Sequence, residues 1–85
     1  MPRTARAEIT PKIANQVLFH FNAGGYPAGS FIAELLSLIG RADPVNRHRL
    51  SLGFPAHVGA VVLGELPGGI ESLRAIAAAE QPGEN

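Results

Sequence analysis

The residue types best suited to binding a ligand lie in one short segment that is rich in arginine. If a helix begins after Asp43, Asn46 and Arg49 project from the same side of it. Asparagine and arginine recognise base edges through paired hydrogen bonds, and arginine also holds phosphate groups. One hypothesis is therefore a nucleic-acid contact formed by Arg41, Asn46, Arg47 and Arg49.

The charge of the whole chain argues against a broad nucleic-acid interface. Seven basic side chains are balanced by seven acidic ones, whereas nucleic-acid-binding domains usually carry a wide basic face. The charges are nevertheless unevenly placed, since residues 1–49 hold six of the seven basic groups and residues 50–85 hold four of the seven acidic ones. We favour a structural alternative, in which Asn46 and Arg49 bond to the open ends of neighbouring helices.

The other residues that could act in catalysis or bind a metal do not form a recognisable motif in the sequence. The histidines His20, His48 and His57 are 28 and 9 residues apart, which matches no common metal-binding spacing. His57 could pair with Glu34 or Glu65 as an acid and a base, but no spacing requires it. The chain has no cysteine, and its glycine-rich segment GGYPAGS lacks the Lys-Ser/Thr ending of a phosphate-binding loop. We expect no catalytic activity, no metal and no cofactor.

The elements that must position these residues are helices. Thr10-Pro11 and Asp43-Pro44 each combine a capping side chain with a proline at the first helical position. Pro55 is also well placed to open a further helix. Apolar residues recur at helical spacing after each start. The sequence predicts an all-α fold, a compact bundle of five short helices at about residues 11–23, 30–41, 44–52, 55–66 and 70–79. We assign residues 1–85 to one domain with flexible tails at 1–8 and 80–85.

The second and third helices have predicted orientations. The second helix has only a narrow polar line, formed by Ser30, Glu34, Ser37 and Arg41, which predicts a largely buried, central helix. On the third helix, Val45 and Leu52 are seven residues apart, and we expect them to share a seam that faces the core.

The fourth helix is also almost wholly apolar, and a domain this small cannot enclose two such helices. We therefore expect one apolar face to be covered by a partner, most simply a second copy related by a two-fold axis, or a host protein. Gly59 and Gly64 would allow a partner helix to approach closely. The predicted partner-binding residues are Phe54, Val58, Val62 and Leu66, with Tyr26 on the turn before the second helix.

No segment predicts export or membrane insertion. The first twelve residues lack the apolar core of a signal peptide. The longest apolar stretches, near residues 31–39 and 58–66, are much shorter than the ~20 residues that cross a bilayer. We expect a soluble, cytoplasmic protein.

The segment from Gly24 to Val61, GGYPAGSFIAELL…ADPVNRHRLSLGFPAHVGAV, resembles small helical proteins of actinobacteria and their bacteriophages. The residues that carry the resemblance are Gly25, Tyr26, Gly29, Ser30, Phe31, Ala42, Asp43, Asn46, Arg49, Leu50, Gly53, Phe54 and Pro55. The resemblance brings no activity or catalytic residue with it. It implies a small accessory protein, of a kind that a phage can encode, that acts by binding.

Overall fold

The computed structural model describes residues 8–80, which form five α-helices and, within that range, no strand. The prediction of an all-α bundle with five helices is confirmed. Of the tails predicted at 1–8 and 80–85, residues 1–7 and 81–85 lie outside the described residues, whereas Glu80 accepts hydrogen bonds from Asn15 and Tyr26. The helices are α1 (Pro11–His20), α2 (Ser30–Arg41), α3 (Pro44–Gly53), α4 (Pro55–Glu65) and α5 (Gly69–Ala77).

Two of the helix starts are fixed by the side chains that the sequence indicates. The backbone N–H of Ile13 donates to Thr10 Oγ1 at 3.1 Å, and that of Asn46 donates to Asp43 Oδ1 at 2.8 Å. Each bond satisfies one of the donors that a helix leaves open at its N-terminus. The proline that follows each cap costs nothing there, because its missing N–H would have had no partner in the helix.

The central element is α4, which packs against each of the other four helices. Ala60 and Val61 of α4 are fully enclosed, and Gly64 lies so close to the ring of Phe21 that a side chain at position 64 would overlap it. Gly64 therefore admits the C-terminal end of α1 of the same chain and not a partner helix, whereas Gly59 is exposed with open space around it. The core residues are Ala14, Val17, Leu18, Leu35, Leu36, Ile39, Val58, Ala60, Val61 and Leu73.

The prediction that α2 is the central, largely buried helix is wrong. Its inward side supplies Leu35, Leu36 and Ile39 to the core, but Phe31 is 66% exposed and Leu38 is 45% exposed. The reason is that α2 packs on α1 and α4 along one side only. Its outer side is therefore half apolar and open to solvent.

The predicted core-facing seam on α3 is also wrong, because Val45 and Leu52 are 61% and 73% exposed. The partly buried residues of this part of the chain are Arg47, Leu50, Ser51 and Phe54, at spacings of three, four and seven that define one helical face. That face lies on α4, which leaves Val45 and Leu52 on the far side.

None of the helices formed by residues 8–80 has the length and apolarity needed to cross a membrane. The longest of them, α2, contains 12 residues.

Candidate interaction surface

Arg47 joins three helices through four side-chain hydrogen bonds. Its Nε donates to the carbonyl oxygen of Ile39 at 3.0 Å, and its Nη2 reaches that of Gly40 at 3.4 Å. Nη1 and Nη2 also each donate to one oxygen of Glu65 at 2.7 Å. Arg47 therefore bonds the C-terminal carbonyls of α2 from α3 while it pairs with α4. Its hydrogen bonds with Glu65 raise the pKa of Arg47 and lower the pKa of Glu65.

This arrangement divides the four predicted nucleic-acid contacts. The guanidinium of Arg47 bonds to the open end of a neighbouring helix, which is the structural role that was expected for Asn46 and Arg49. Those two residues instead bond locally: Asn46 Nδ2 donates to Asp43 Oδ2 at 3.3 Å, and Arg49 Nη1 donates to Asn46 Oδ1 at 3.3 Å. Arg41 is exposed at the end of α2.

An open groove separates α2 from α3, because the two helices diverge from the short link at Ala42 and Asp43. The groove has a volume of about 390 Å³. Its apolar lining comes from Leu38 of α2 and Leu50 of α3, and its polar lining includes Arg41, Asp43, Asn46 and Arg49. Three of the four predicted nucleic-acid contacts thus line one groove, and Arg47 does not.

The groove is lined by two arginines, Arg41 and Arg49, that form no ion pair within residues 8–80. Both oxygens of Asp43 accept hydrogen bonds from Asn46. Within residues 8–80 the ion pairs are Arg47–Glu65 and Arg74–Glu71, so neither Arg41 nor Arg49 is paired with a carboxylate. Two guanidinium groups are therefore open to an outside partner.

The predicted patch on α4 is only partly on the surface. Val62 and Leu66 are exposed, but Val58 is 7% exposed and belongs to the core, so it cannot serve as a partner contact in this fold. Because one helical turn is 3.6 residues, the exposed residues of α4 at positions 55, 59 and 62 form a stripe that excludes position 58. Leu66 directly follows the end of the helix.

Phe54 and Tyr26, the other predicted contacts, lie at different places. The half-buried ring of Phe54 is 6.2 Å from that of Phe31, measured between centroids, at the start of α2. The hydroxyl of Tyr26 donates to the carboxylate of Glu80, at 2.6 and 2.8 Å from its two oxygens. This bond raises the pKa of Tyr26. It fastens the turn before α2 to the residues just after α5.

The outer side of α2 carries a pattern that the sequence analysis did not identify. Phe31, Glu34, Leu38 and Arg41 are all exposed and follow spacings of three, four and three, which place them on one face. The same spacing is visible in the sequence. The prediction of a largely buried α2 separated Glu34 and Arg41, as polar residues, from Phe31 and Leu38, as buried ones, so the four residues were not recognised as one exposed face.

His20 and His57 each lie beside an aromatic ring, and His20 is near enough to Glu65 to help Arg47 lower the pKa of that carboxyl. The ring of His57 lies edge-on to Phe54 with centroids 6.0 Å apart, and its partial burial lowers the pKa of His57. Glu65, one of its hypothetical partners, bonds to Arg47. Among the side chains of residues 8–80, no three His, Asp or Glu groups come together in a way that could hold a metal ion.

Comparisons with known proteins do not assign a role to these surfaces. Comparison of the chain with models of protein families gives no match, and comparisons with curated proteins and with solved structures give none.

Proposed function

We propose that this protein is a small, non-catalytic interaction protein that acts by associating with a second protein molecule, its own copy or a host protein. The observation that supports this most is the placement of large apolar side chains outside the core. Phe31 and Leu38 on α2, and Val45 and Leu52 on α3, each form an exposed pair at seven-residue spacing. Exposed apolar faces of this kind are typically covered by a partner. The resemblance to small phage and actinobacterial proteins agrees with an accessory, binding role.

Site-specific photo-crosslinking tests this proposal. A photoreactive amino acid replaces Leu38, Leu52 or Val62 in separate variants, and the exposed Ser72 of α5 serves as the control position. We expect protein adducts at one or more of the apolar positions and none at position 72, both with the purified chain and in the cells that make it. Absence of adducts at all three apolar positions, in both settings, would contradict an interaction role.

A nucleic-acid-binding role for Arg41, Asn46 and Arg49 is the alternative. The groove supports it less than it supports protein binding, because Arg47 is engaged within the chain and apolar Leu38 and Leu50 line the groove together with the remaining cations. Filter binding at low and high salt separates the two roles. Contacts to phosphate require binding that weakens steeply with salt, so absent or salt-independent binding excludes this alternative.

A further inference from the structure

The outer face of α2 holds two opposite charges on either side of an exposed leucine. Glu34 and Arg41 are seven residues apart, or about 10.5 Å along the helix axis, and both are exposed. Leu38 lies almost midway between them. Neither charge forms an ion pair among residues 8–80.

This order of charges is complementary to itself when the helix is reversed. In an antiparallel pair of identical helices, the two-fold axis passes through the midpoint of the matched positions. If Glu34 of each copy faces Arg41 of the other, that midpoint lies beside Leu38. The exposed leucines of the two copies then meet at the axis, with an ion pair on each side.

We propose that the chain forms a two-fold homodimer through this face, with the two α2 helices antiparallel and Glu34 of each copy paired with Arg41 of the other. The inference rests on the proposed function and names a second copy as the partner. In this register Phe31 lies opposite position 44 of the second copy, beyond the end of its α2, so the apolar contact at the axis is made by Leu38. The open groove beside Leu38 leaves room for side chains of the second copy.

The charge pattern favours a second copy over an acidic partner. An acidic helix would pair with Arg41 and Arg49 but would place carboxylates near Glu34, which is on the same face as Arg41. A reversed copy of α2 satisfies both charges at once. The interface is one helix face wide and therefore smaller than a standard protein interface, so we expect a weak dimer with a Kd of the order of 100 μM.

Sedimentation equilibrium of the whole chain, from about 10 μM to 1 mM, tests the proposal with charge reversals. We expect a mass above that of the 8.9 kDa monomer at the higher concentrations. Glu34→Arg and Arg41→Glu each create two like-charge contacts per dimer, and each variant should weaken association by about tenfold or more. The double variant restores opposite charges across the axis and should return association to near the wild-type level. Lys12→Glu, a charge reversal on the exposed side of α1, should leave it unchanged.

Two results would overturn the dimer. One is a wild-type chain that remains monomeric at 1 mM, and the other is a double variant that associates no better than the single ones. Circular dichroism of each variant establishes that the fold is retained, which is expected because both substituted residues are exposed. If the chain is monomeric but position 38 crosslinks to a different protein, the dimer is excluded and the proposed interaction role stands.

Discussion

Replacement of Arg47 by alanine is the most informative perturbation of the fold, because this one side chain connects α2, α3 and α4. The guanidinium contacts two carbonyl oxygens at the end of α2 and both carboxylate oxygens of Glu65. Arg47→Ala removes all of these bonds. Ile39 retains one partner, the backbone N–H of Ala42 at 3.2 Å, so its carbonyl is not left without a hydrogen bond.

The loss in the free energy of unfolding caused by Arg47→Ala can be estimated contact by contact. The ion pair is part-exposed, with side-chain exposures of 21% for Arg47 and 38% for Glu65, so solvent screens it and it contributes about 0.5–1 kcal/mol. A cation at the C-terminus of a helix adds about 0.3–1 kcal/mol, and the hydrogen bond to Ile39 adds about 0.5–1.5 kcal/mol. The total is about 2 kcal/mol. This is a large part of the roughly 4–12 kcal/mol expected for a domain of this length, and it corresponds to a fall in Tm of about 8–16 °C.

Thermal and urea denaturation of three variants measure this cost. Arg47→Ala should lose about 2 kcal/mol, whereas Glu65→Gln keeps the bonds to α2 and should lose only about 0.5–1 kcal/mol. Arg49→Ala, an exposed arginine two residues away, should stay within about 0.5 kcal/mol of wild type. The explanation fails if Arg47→Ala and Arg49→Ala are equally stable.

The folded chain depresses the pKa of Glu65 below its ordinary value of 4.5. The stabilisation that Glu65 contributes to the fold is therefore present at neutral pH. It is lost as the pH falls from about 4.5 through the folded-state pKa of Glu65.

Further predictions concern single positions. Gly59→Ala should stabilise the fold by about 0.5–1 kcal/mol, because the new Cβ points into open space in a helix. Gly69→Ala should destabilise it by about 1–3 kcal/mol, because its Cβ would overlap a backbone carbonyl; equal urea midpoints for the two variants would refute this. Leu50→Ser should lose about 2 kcal/mol, while the more exposed Leu52→Ser should change stability by less than about 0.5 kcal/mol, and a reversed order would place the core on the other side of α3. Partial burial lowers the pKa of His57 below 6.5, so the folded chain takes up this proton at a lower pH than the unfolded chain. The contribution of His57 to the free energy of unfolding is therefore present above pH 6.5 and declines below it. Tm measured from pH 7.5 to 5.5 should fall more steeply for wild type than for His57→Gln.

The helix boundaries could be predicted because they depend on neighbouring residues alone. Thr10 and Asp43 cap their helices through hydrogen bonds to the backbone three residues later, and a proline follows each. A local rule of this kind needs no knowledge of the rest of the chain. The helices therefore begin at or within one residue of their predicted starts, and α1 ends three residues before its predicted end.

The sides on which the helices pack could not be predicted in the same way. For α3, a seam through Val45 and Leu52 and a face through Arg47 and Leu50 both have helical periodicity. Hydropathy favours the first, and the fold adopts the second. The choice depends on where Glu65 and the end of α2 lie, which are contacts between distant parts of the chain. The central position of α4 depends similarly on the fit of Phe21 against Gly64.

The orientation of α3 links the stability of the fold to its candidate surface. With Arg47 turned inward, its charge is matched by Glu65 and by the carbonyls of α2, and Leu50 is placed beside the groove. The same rotation leaves Val45 and Leu52 in water, where each forgoes the roughly 1.5–3 kcal/mol that full burial would contribute. Rotating α3 to bury them would leave the end of α2 and Glu65 without their cation. The exposure of Val45 and Leu52 thus follows from the contacts that Arg47 makes with Glu65 and the end of α2, and losing these contacts should weaken the fold that presents the two residues to a partner.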